Sequence, residues 1–277
     1  MGSDQRDLEL IHWEGKSSAM VLDKTIALLS RYTRSRCLVG LLCMVPALAV
    51  AVDCSEIQFQ DTRSTVCRVD LRRDHLQLFL NDASGKPFTS FRRVTQSLAS
   101  RNEQLAFAMN AGMYREDYSP VGLLVMEGHQ VHRLNLASGF GNFYLKPNGV
   151  FVLLASGARI VESTEYRSLL EPVIFATQSG PLLLHSGRIN PALNPEGTSR
   201  LIRNAVGLVN ANEVVFVISE DPINFYDFAL LFRERLHCLD ALYLDGNVSS
   251  LYSDSLKRRD EHVPLGPIVG VTISIPR

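Results

Sequence analysis

Residues 149–162 read GVFVLLASGARIVE, with two apolar runs on either side of the pair Ser156-Gly157. Runs of this length, rich in β-branched and aromatic residues and separated by a Ser-Gly pair, are typical of two antiparallel strands joined by a tight turn. The stretch therefore predicts a β-hairpin.

The same pattern occurs three more times nearby, so hairpins account for much of the chain. In the last copy the turn contains asparagines, which tolerate positive φ. The four copies together predict a meander in the middle of the sequence. The other three are residues 121–134, which turn at Glu127-Gly128, residues 181–189, which turn at Ser186-Gly187, and residues 204–219, which turn through Asn210, Ala211 and Asn212.

Outside the hairpins, the periodicity predicts two helices and several further strands. The resulting fold class is α+β: a strand-rich single domain with a mixed or antiparallel sheet, several hairpins and a few packed helices. The predicted elements are a strand or hairpin over residues 67–79, a helix over 91–104 feeding a strand at 105–109, a helix over 224–237 capped by Asp221 with Pro222, a strand at 241–244 and a strand at 268–275.

Composition excludes some functions. The chain has 277 residues, of which 46% are hydrophobic and 21% charged, and this is typical of a globular protein. Lys and Arg number 28 against 29 Asp and Glu, and no basic run is longer than residues 257–259. Nucleic-acid binding needs a basic surface, so a nucleic-acid partner is not expected.

Residues 37–51, CLVGLLCMVPALAVA, resemble the apolar region of an export signal. Arginines precede the run, small residues follow in the A-x-A spacing, and the run is shorter than the roughly 20 residues of a membrane span. We expect residues 1–51 to be a leader and export signal and residues 52–277 to be a periplasmic or extracellular domain, with no stable membrane span after cleavage. An uncleaved leader and a buried core helix are the alternatives.

Export would leave three cysteines in a compartment that permits disulfides. Cys54 and Cys67 are close enough in sequence to close a short loop, but the sequence leaves their pairing open. Cys238 would then be unpaired and buried, and a buried cysteine behaves as a small hydrophobe.

Common catalytic motifs are missing from the sequence, including G-x-S-x-G, H-E-x-x-H and the Walker loop. His129 and His132 lie three residues apart on a predicted strand, so they face opposite sides and do not suggest a shared metal. We predict no metal site and no cofactor.

Four polar clusters interrupt the apolar strands, where an unpaired polar group is costly unless it binds another group or a ligand. Each cluster also has a purely structural explanation: a turn cap, a solvated lysine, a surface arginine or an Asp-Gly turn. The clusters are Asn110 to Met113, including Gly112; Asn142, Lys146 and Asn148; Gln178, Ser179 and Gly180 with Arg203 and Asn204; and Asp245 to Ser250, including Gly246 and Ser249.

As an ordered set, these clusters resemble the phosphodiester glycosidase domain family, and are closest to its bacterial exported branch. The resemblance covers roughly residues 70–276. It departs from another branch of the family at Asn247 and Val248, where that branch tends to have a glycine-rich stretch after the aspartate. The blocks are FAMNAGMY at 107–114, PVGLLV at 120–125, GNFYLKPNGVF at 141–151, QSGPLL at 178–183, RNAVG at 203–207 and ALYLDGNVSSLY at 241–252.

The resemblance implies that residues 52–277 hydrolyse a sugar 1-phosphodiester. It implies that Arg203 binds the phosphate, that Asp245 acts at the anomeric carbon and that Asn110 assists. The expected substrate-binding residues are Gly112, Asn142, Lys146, Gln178, Ser179, Gly180, Gly246 and Ser249.

The expected partner is a small molecule containing a sugar phosphate, or an envelope glycan. Three alternatives stay open: a non-catalytic module that binds envelope glycan or peptidoglycan, a phosphodiesterase that cuts the P–O bond, and a hydrolase that uses Cys238.

Overall fold

Alternating and apolar runs of the sequence form strands throughout residues 52–275, the part of the chain that the computed structural model describes. These residues belong to one compact unit. The strands are β1 (Asp53–Phe59), β2 (Thr62–Asp70), β3 (His75–Phe79), β4 (Glu103–Asn110), β5 (Leu124–Met126), β6 (His129–His132), β7 (Gly149–Leu154), β8 (Gly157–Glu162), β9 (Val173–Ser179), β10 (Leu182–His185), β11 (Arg188–Ile189), β12 (Asn204–Asn210), β13 (Glu213–Ser219), β14 (Asp240–Tyr243), β15 (Leu251–Ser253), β16 (Arg258–Arg259) and β17 (Ile268–Ser274).

The strands form three sheets, and every strand pair in the described residues is antiparallel. A seven-stranded sheet has the order β1-β2-β13-β12-β14-β10-β11. Two five-stranded sheets have the orders β16-β15-β4-β17-β3 and β6-β5-β9-β7-β8. The prediction of a strand-rich fold with antiparallel sheets and few helices is confirmed.

Helix α1 (Phe91–Ala99) packs its apolar face, formed by Phe91, Val94 and Leu98, into the core. The Ser90 side chain caps it by accepting a hydrogen bond from the backbone N–H of Arg93. The helix ends five residues before the predicted boundary at 104 because a turn leads into β4.

Helix α2 (Phe225–Leu230) continues as a π-helical segment over Leu231–Arg235, close to the predicted span of 224–237. The predicted cap was wrong. Asn224 caps α2 by accepting from the Asp227 N–H at 2.7 Å. Asp221 instead binds Arg63, with an Nη2–Oδ1 distance of 2.8 Å.

All four predicted hairpins form, as β5–β6, β7–β8, β10–β11 and β12–β13. The predicted meander was wrong. Strand β9 inserts between β5 and β7, and the last two hairpins join the seven-stranded sheet. Hairpins depend on local turns, whereas the order of strands in a sheet depends on pairing between distant segments.

The prediction of one strand or hairpin over residues 67–79 was also wrong. The segment divides at residues 71–74, so β2 pairs with β1 and β13 while β3 pairs with β17 in another sheet. The Asp74 carboxylate accepts from the Asp70 N–H at 2.8 Å and holds the turn between them.

Cys54 and Cys67 form a disulfide between directly opposed positions of β1 and β2. Cys238 is a free cysteine, 2% exposed, and burial raises the pKa of its thiol to about 12. A nucleophilic thiol needs a lowered pKa, so this environment favours the structural role predicted for Cys238.

The predicted leader and export signal lie outside the described residues. Within residues 52–275, no helix has both the length and the apolar character that crossing a bilayer requires.

Candidate functional site

Two buried asparagines join the ends of three strands. The Asn204 side chain, at the start of β12, donates to Oδ1 of Asn110 at 3.0 Å, and Asn110 Nδ2 donates to the Asp245 carbonyl oxygen at 2.9 Å. The Ser250 N–H also donates to Asn110 Oδ1, at 3.0 Å. Because each of these groups is buried and paired, the network fixes the ends of β4, β12 and β14 relative to one another.

Asp245 directly follows Leu244 at the end of β14, and it is only 9% exposed. Its carboxylate accepts one backbone hydrogen bond, from the Asn247 N–H at 3.2 Å, and in the described residues it forms no ion pair. Burial disfavours the charged form and raises the pKa of Asp245 to about 6. Buried carboxyl groups with raised pKa values are typical of functional sites.

Arg203 is 1% exposed, just before β12. Its Nε donates to the Ile223 carbonyl at 2.8 Å and Nη2 to the Ser199 carbonyl at 2.9 Å, while the Phe225 ring centroid lies 3.7 Å from Cζ. Burial lowers the pKa of the guanidinium. Nη1 has no hydrogen-bond partner among the described residues. Arg203 is therefore a buried cation without a carboxylate partner there.

Arg203 and Asp245 do not contact each other directly, but both adjoin Tyr243. The Arg203 Cζ lies 5.6 Å from the centroid of the Tyr243 ring. The Tyr243 hydroxyl accepts a hydrogen bond from the Gly246 N–H at 2.7 Å, next to Asp245. The pKa of Tyr243 is raised, first by burial and also by Asp245, whereas Arg203 acts to lower it.

Strand β9 contributes Ser179 to the site but not Gln178. Ser179 Oγ donates to the Leu244 carbonyl at 2.8 Å, and Thr177 Oγ1 accepts from the Gly112 N–H at 3.2 Å. Side chains alternate along a strand, so Gln178 points to the opposite face. Its amide there bonds to Leu123, Asn135 and Ser163, which uses both its oxygen and its nitrogen.

The second predicted cluster, which consists of Asn142, Lys146 and Asn148, lies near Gly180. Lys146 Nζ donates to Asn148 Oδ1 at 3.0 Å, and desolvation lowers the pKa of Lys146. Asn142 begins a short 3₁₀ turn that closely approaches Gly180. None of these side chains hydrogen-bonds to Asp245 in the described residues, so the structure does not join this cluster to the carboxylate.

Gly246 begins the 3₁₀ turn that follows Asp245, and Ser249 is the residue directly after that turn. A Cβ on Gly246 would lie 2.1 Å from the Tyr243 hydroxyl oxygen, so only glycine fits without a shift. Ser249 Oγ donates to the Gly246 carbonyl at 3.1 Å and to Asn204 Oδ1 at 3.3 Å. One face of the turn lines a cavity of about 340 Å³ whose other walls include Arg258 and His262.

Three residues of this site were not predicted from the sequence. Tyr243 looked like an ordinary residue of an apolar strand, and Asn204 was noted beside Arg203 without a role. Tyr114 belongs to a quoted block, and burial together with the Asp245 charge raises its pKa to about 12. Asn204 could have been predicted as a site residue, because it is a polar residue at the start of an apolar strand. No feature of the sequence distinguished Tyr114 or Tyr243 from ordinary strand residues.

Among residues 52–275, no group of three or more His, Cys, Asp or Glu side chains is placed to hold a metal ion.

The fold and site together define a strand-rich protein of three antiparallel sheets, with a buried aspartate whose backbone is held by an asparagine side chain where strands from two sheets end. The family model described as phosphodiester glycosidase matches residues 103–271, and the chain belongs to this family.

The chain is 35% identical over 211 residues to "Uncharacterized protein YigE" of Escherichia coli strain K12, covering 76% of this chain and 82% of that protein. Two solved structures share the fold at low identity. One is the catalytic domain of zebrafish N-acetylglucosamine-1-phosphodiester alpha-N-acetylglucosaminidase, auto-inhibited by its pro-peptide, with a TM-score of 0.54, 14% identity, and coverage of 79% of this chain and 81% of that chain. The other is a Burkholderia pseudomallei protein described as exported, with a TM-score of 0.50, 10% identity, and coverage of 76% and 74%.

Proposed function

We propose that the protein is an exported hydrolase that releases the sugar from a sugar 1-phosphodiester. The observation that carries the proposal is Asp245: a buried carboxylate at a strand end, unpaired with a cation in the described residues, with its backbone held by Asn110. Membership of the phosphodiester glycosidase family supports this reaction class. The disulfide, and the likeness of fold to a Burkholderia protein that is described as exported, are consistent with export.

In the proposed reaction, the bond between the anomeric carbon and the phosphate oxygen breaks, and the phosphate monoester leaves with the electron pair. Asp245 either forms the new bond to the anomeric carbon, which water then hydrolyses, or takes a proton from the water that attacks. A phosphate monoester is a good leaving group, so it needs less general-acid help than the alcohol of an ordinary glycoside. Stabilisation of the phosphate charge then matters more.

We assign the phosphate to Arg203. A guanidinium matches phosphate geometry, and a buried cation with an unpaired Nη1 gains strongly from an anion. Because only 1% of Arg203 is exposed in this structure, contact with phosphate requires groups that cover the guanidinium to move. Asn110 acts in this scheme by holding the Asp245 backbone, since its amide is already bonded to protein groups.

The predicted substrate-binding residues fall into three groups according to where they lie in the structure. The residues next to Asp245 are Gly246, Ser249 and Ser179, and we propose that they shape the sugar pocket. Gly112 comes after β4, Gly180 follows β9, and Asn142 and Lys146 precede β7; we propose that these four residues contact a larger aglycone. The Gln178 amide is occupied on the other face of β9, so its contribution is to hold the sheet.

The test is a product assay on the full chain with alkyl 1-phosphodiesters of several sugars. The proposal expects free sugar plus an alkyl phosphate, and Asp245→Asn should abolish the release. Sugar 1-phosphate as the product would indicate P–O cleavage instead. Binding of an envelope glycan that Asp245→Asn leaves intact, with no turnover of any diester, would favour a binding module.

A further inference from the structure

One peptide unit in the site is held at both of its polar groups. The peptide between Asp245 and Gly246 presents the Asp245 carbonyl on one side and the Gly246 N–H on the other. Asn110 Nδ2 donates to the carbonyl at 2.9 Å, and the Tyr243 hydroxyl accepts from the N–H at 2.7 Å. Since a peptide unit is planar, these two bonds fix the orientation of the whole plane.

The Tyr243 side chain is itself immobilised. It is 1% exposed, and the Phe225 ring meets it edge to face with a centroid distance of 4.7 Å. The hydroxyl therefore has a fixed position, two residues before the carboxylate. This hydroxyl is the group that a Cβ on Gly246 would meet, so the glycine and the tyrosine fit each other.

We infer that Tyr243 is a positioning residue, whose hydroxyl holds the Asp245–Gly246 peptide and thereby aims the Asp245 carboxylate at the reacting carbon. The inference rests on the proposed function for its catalytic meaning. Fixing the peptide restricts the backbone rotation next to the Asp245 Cα, and the direction of the side chain follows from that backbone. The Arg203 Cζ lies 5.6 Å from the Tyr243 ring centroid and the Tyr243 hydroxyl binds the Asp245–Gly246 peptide, so Tyr243 adjoins both groups that the proposed reaction uses.

The test compares Tyr243→Phe with Tyr252→Phe. The first change keeps the ring against Phe225 and removes only the hydroxyl. The control removes the hydroxyl of a half-buried tyrosine on β15 that packs on Phe91 and has no side-chain hydrogen bond among the described residues. We expect Tyr243→Phe to lower kcat by about 10- to 100-fold with KM changed less than about twofold, since a small misplacement of a catalytic group has effects of this size. The control should leave both constants unchanged.

Two further measurements do not depend on activity. The carboxyl pKa of Asp245, followed by NMR, should shift in Tyr243→Phe and not in Tyr252→Phe. Gly246→Ala should lower the Tm of the wild type more than that of Tyr243→Phe, because removing the hydroxyl removes the closest clash.

These readouts separate the two proposals. If the wild type cleaves no sugar 1-phosphodiester, the proposed function fails, and the carboxyl titration and the paired Gly246→Ala variants still decide whether Tyr243 holds Asp245. A folded Tyr243→Phe protein with wild-type kcat, or with an unchanged Asp245 carboxyl titration and equal Tm losses from Gly246→Ala, would overturn the inference.

Discussion

At the scale of single residues, the Asp245 carboxyl group sets the expected pH dependence of activity. Its pKa is raised to about 6 by burial, and the proposed reaction needs the ionised form. We predict that kcat/KM falls about tenfold per pH unit below pH 6 and levels off above it. A pH profile between 4 and 8 measures this, and an acidic limb near the ordinary value of 3.8 would contradict it.

The same pKa predicts an effect on stability. The folded-state pKa lies above the unfolded value, so the folded state binds the proton more tightly, and stability is lost as the pH rises from about 4 through about 6. A shift of about two units corresponds to roughly 3 kcal/mol. Asp245→Asn should therefore unfold at higher denaturant than the wild type at pH 7.5.

The comparison is repeated at pH 4, where Asp245 in the folded protein, like the asparagine that replaces it in the variant, is largely uncharged. The difference between Asp245→Asn and the wild type should shrink there. An equal difference at both values would mean that ionisation of Asp245 is not its cause.

Arg203→Lys tests the phosphate assignment while keeping a positive charge. Lysine lacks the planar fork of the guanidinium and cannot replace the bonds to Ile223 and Ser199. We expect kcat/KM for a sugar phosphodiester to fall by about 10²- to 10³-fold. Near-ultraviolet circular dichroism verifies folding, and an unchanged kcat/KM in a folded variant would remove Arg203 from the mechanism.

The geometry of the site explains which of its residues could be predicted from the sequence. Asp245, Gly246 and Asn110 are polar residues at the ends of apolar strands, so their proximity was predictable from pattern and resemblance. The burial of Arg203 was not, because it depends on Phe225 from a distant helix. The sequence assigned Gln178 to the substrate together with Ser179. Which face of β9 the Gln178 side chain occupies depends on how β9 pairs with its neighbours, and the sequence alone does not show that pairing.

At the scale of elements, Asn110 joins β4 to the segments around it. Asn110→Ala leaves the Asn204 amide and the Ser250 N–H without their buried partner, and each such loss costs about 1 to 3 kcal/mol. We predict a fall of at least about 2 kcal/mol in the free energy of unfolding by urea, together with lower kcat. The control is Asn212→Ala in the exposed β12–β13 turn, and equal effects of the two changes would contradict the prediction.

Hairpins were predictable because each is specified by its own turn and two adjoining runs. The insertion of β9 between β5 and β7, and the division of β2 and β3 between sheets, were not. Those arrangements are decided by which apolar faces pack together across the core.

At the scale of the whole molecule, the Cys54–Cys67 disulfide ties the edge strand β1 of the seven-stranded sheet to its neighbour β2. A loop of this length stabilises by about 3 kcal/mol in the chain-entropy model. We expect the double variant Cys54→Ser, Cys67→Ser to have a lower Tm and unchanged kcat at 25 °C, because the disulfide joins β1 to β2 and neither strand carries a residue of the proposed site. Dithiothreitol should lower the Tm of the wild type only, and an equal effect on the variant would contradict the prediction.

The central claim is cleavage at the anomeric carbon, and hydrolysis in water enriched in oxygen-18 tests it most directly. Mass spectrometry of the products shows which fragment gains the heavy atom. Breaking the bond between carbon and oxygen puts oxygen-18 on the anomeric hydroxyl of the released sugar and leaves the phosphate unlabelled, which is the result we predict. Oxygen-18 in the phosphate would place the cleavage at phosphorus and contradict the role assigned to Asp245.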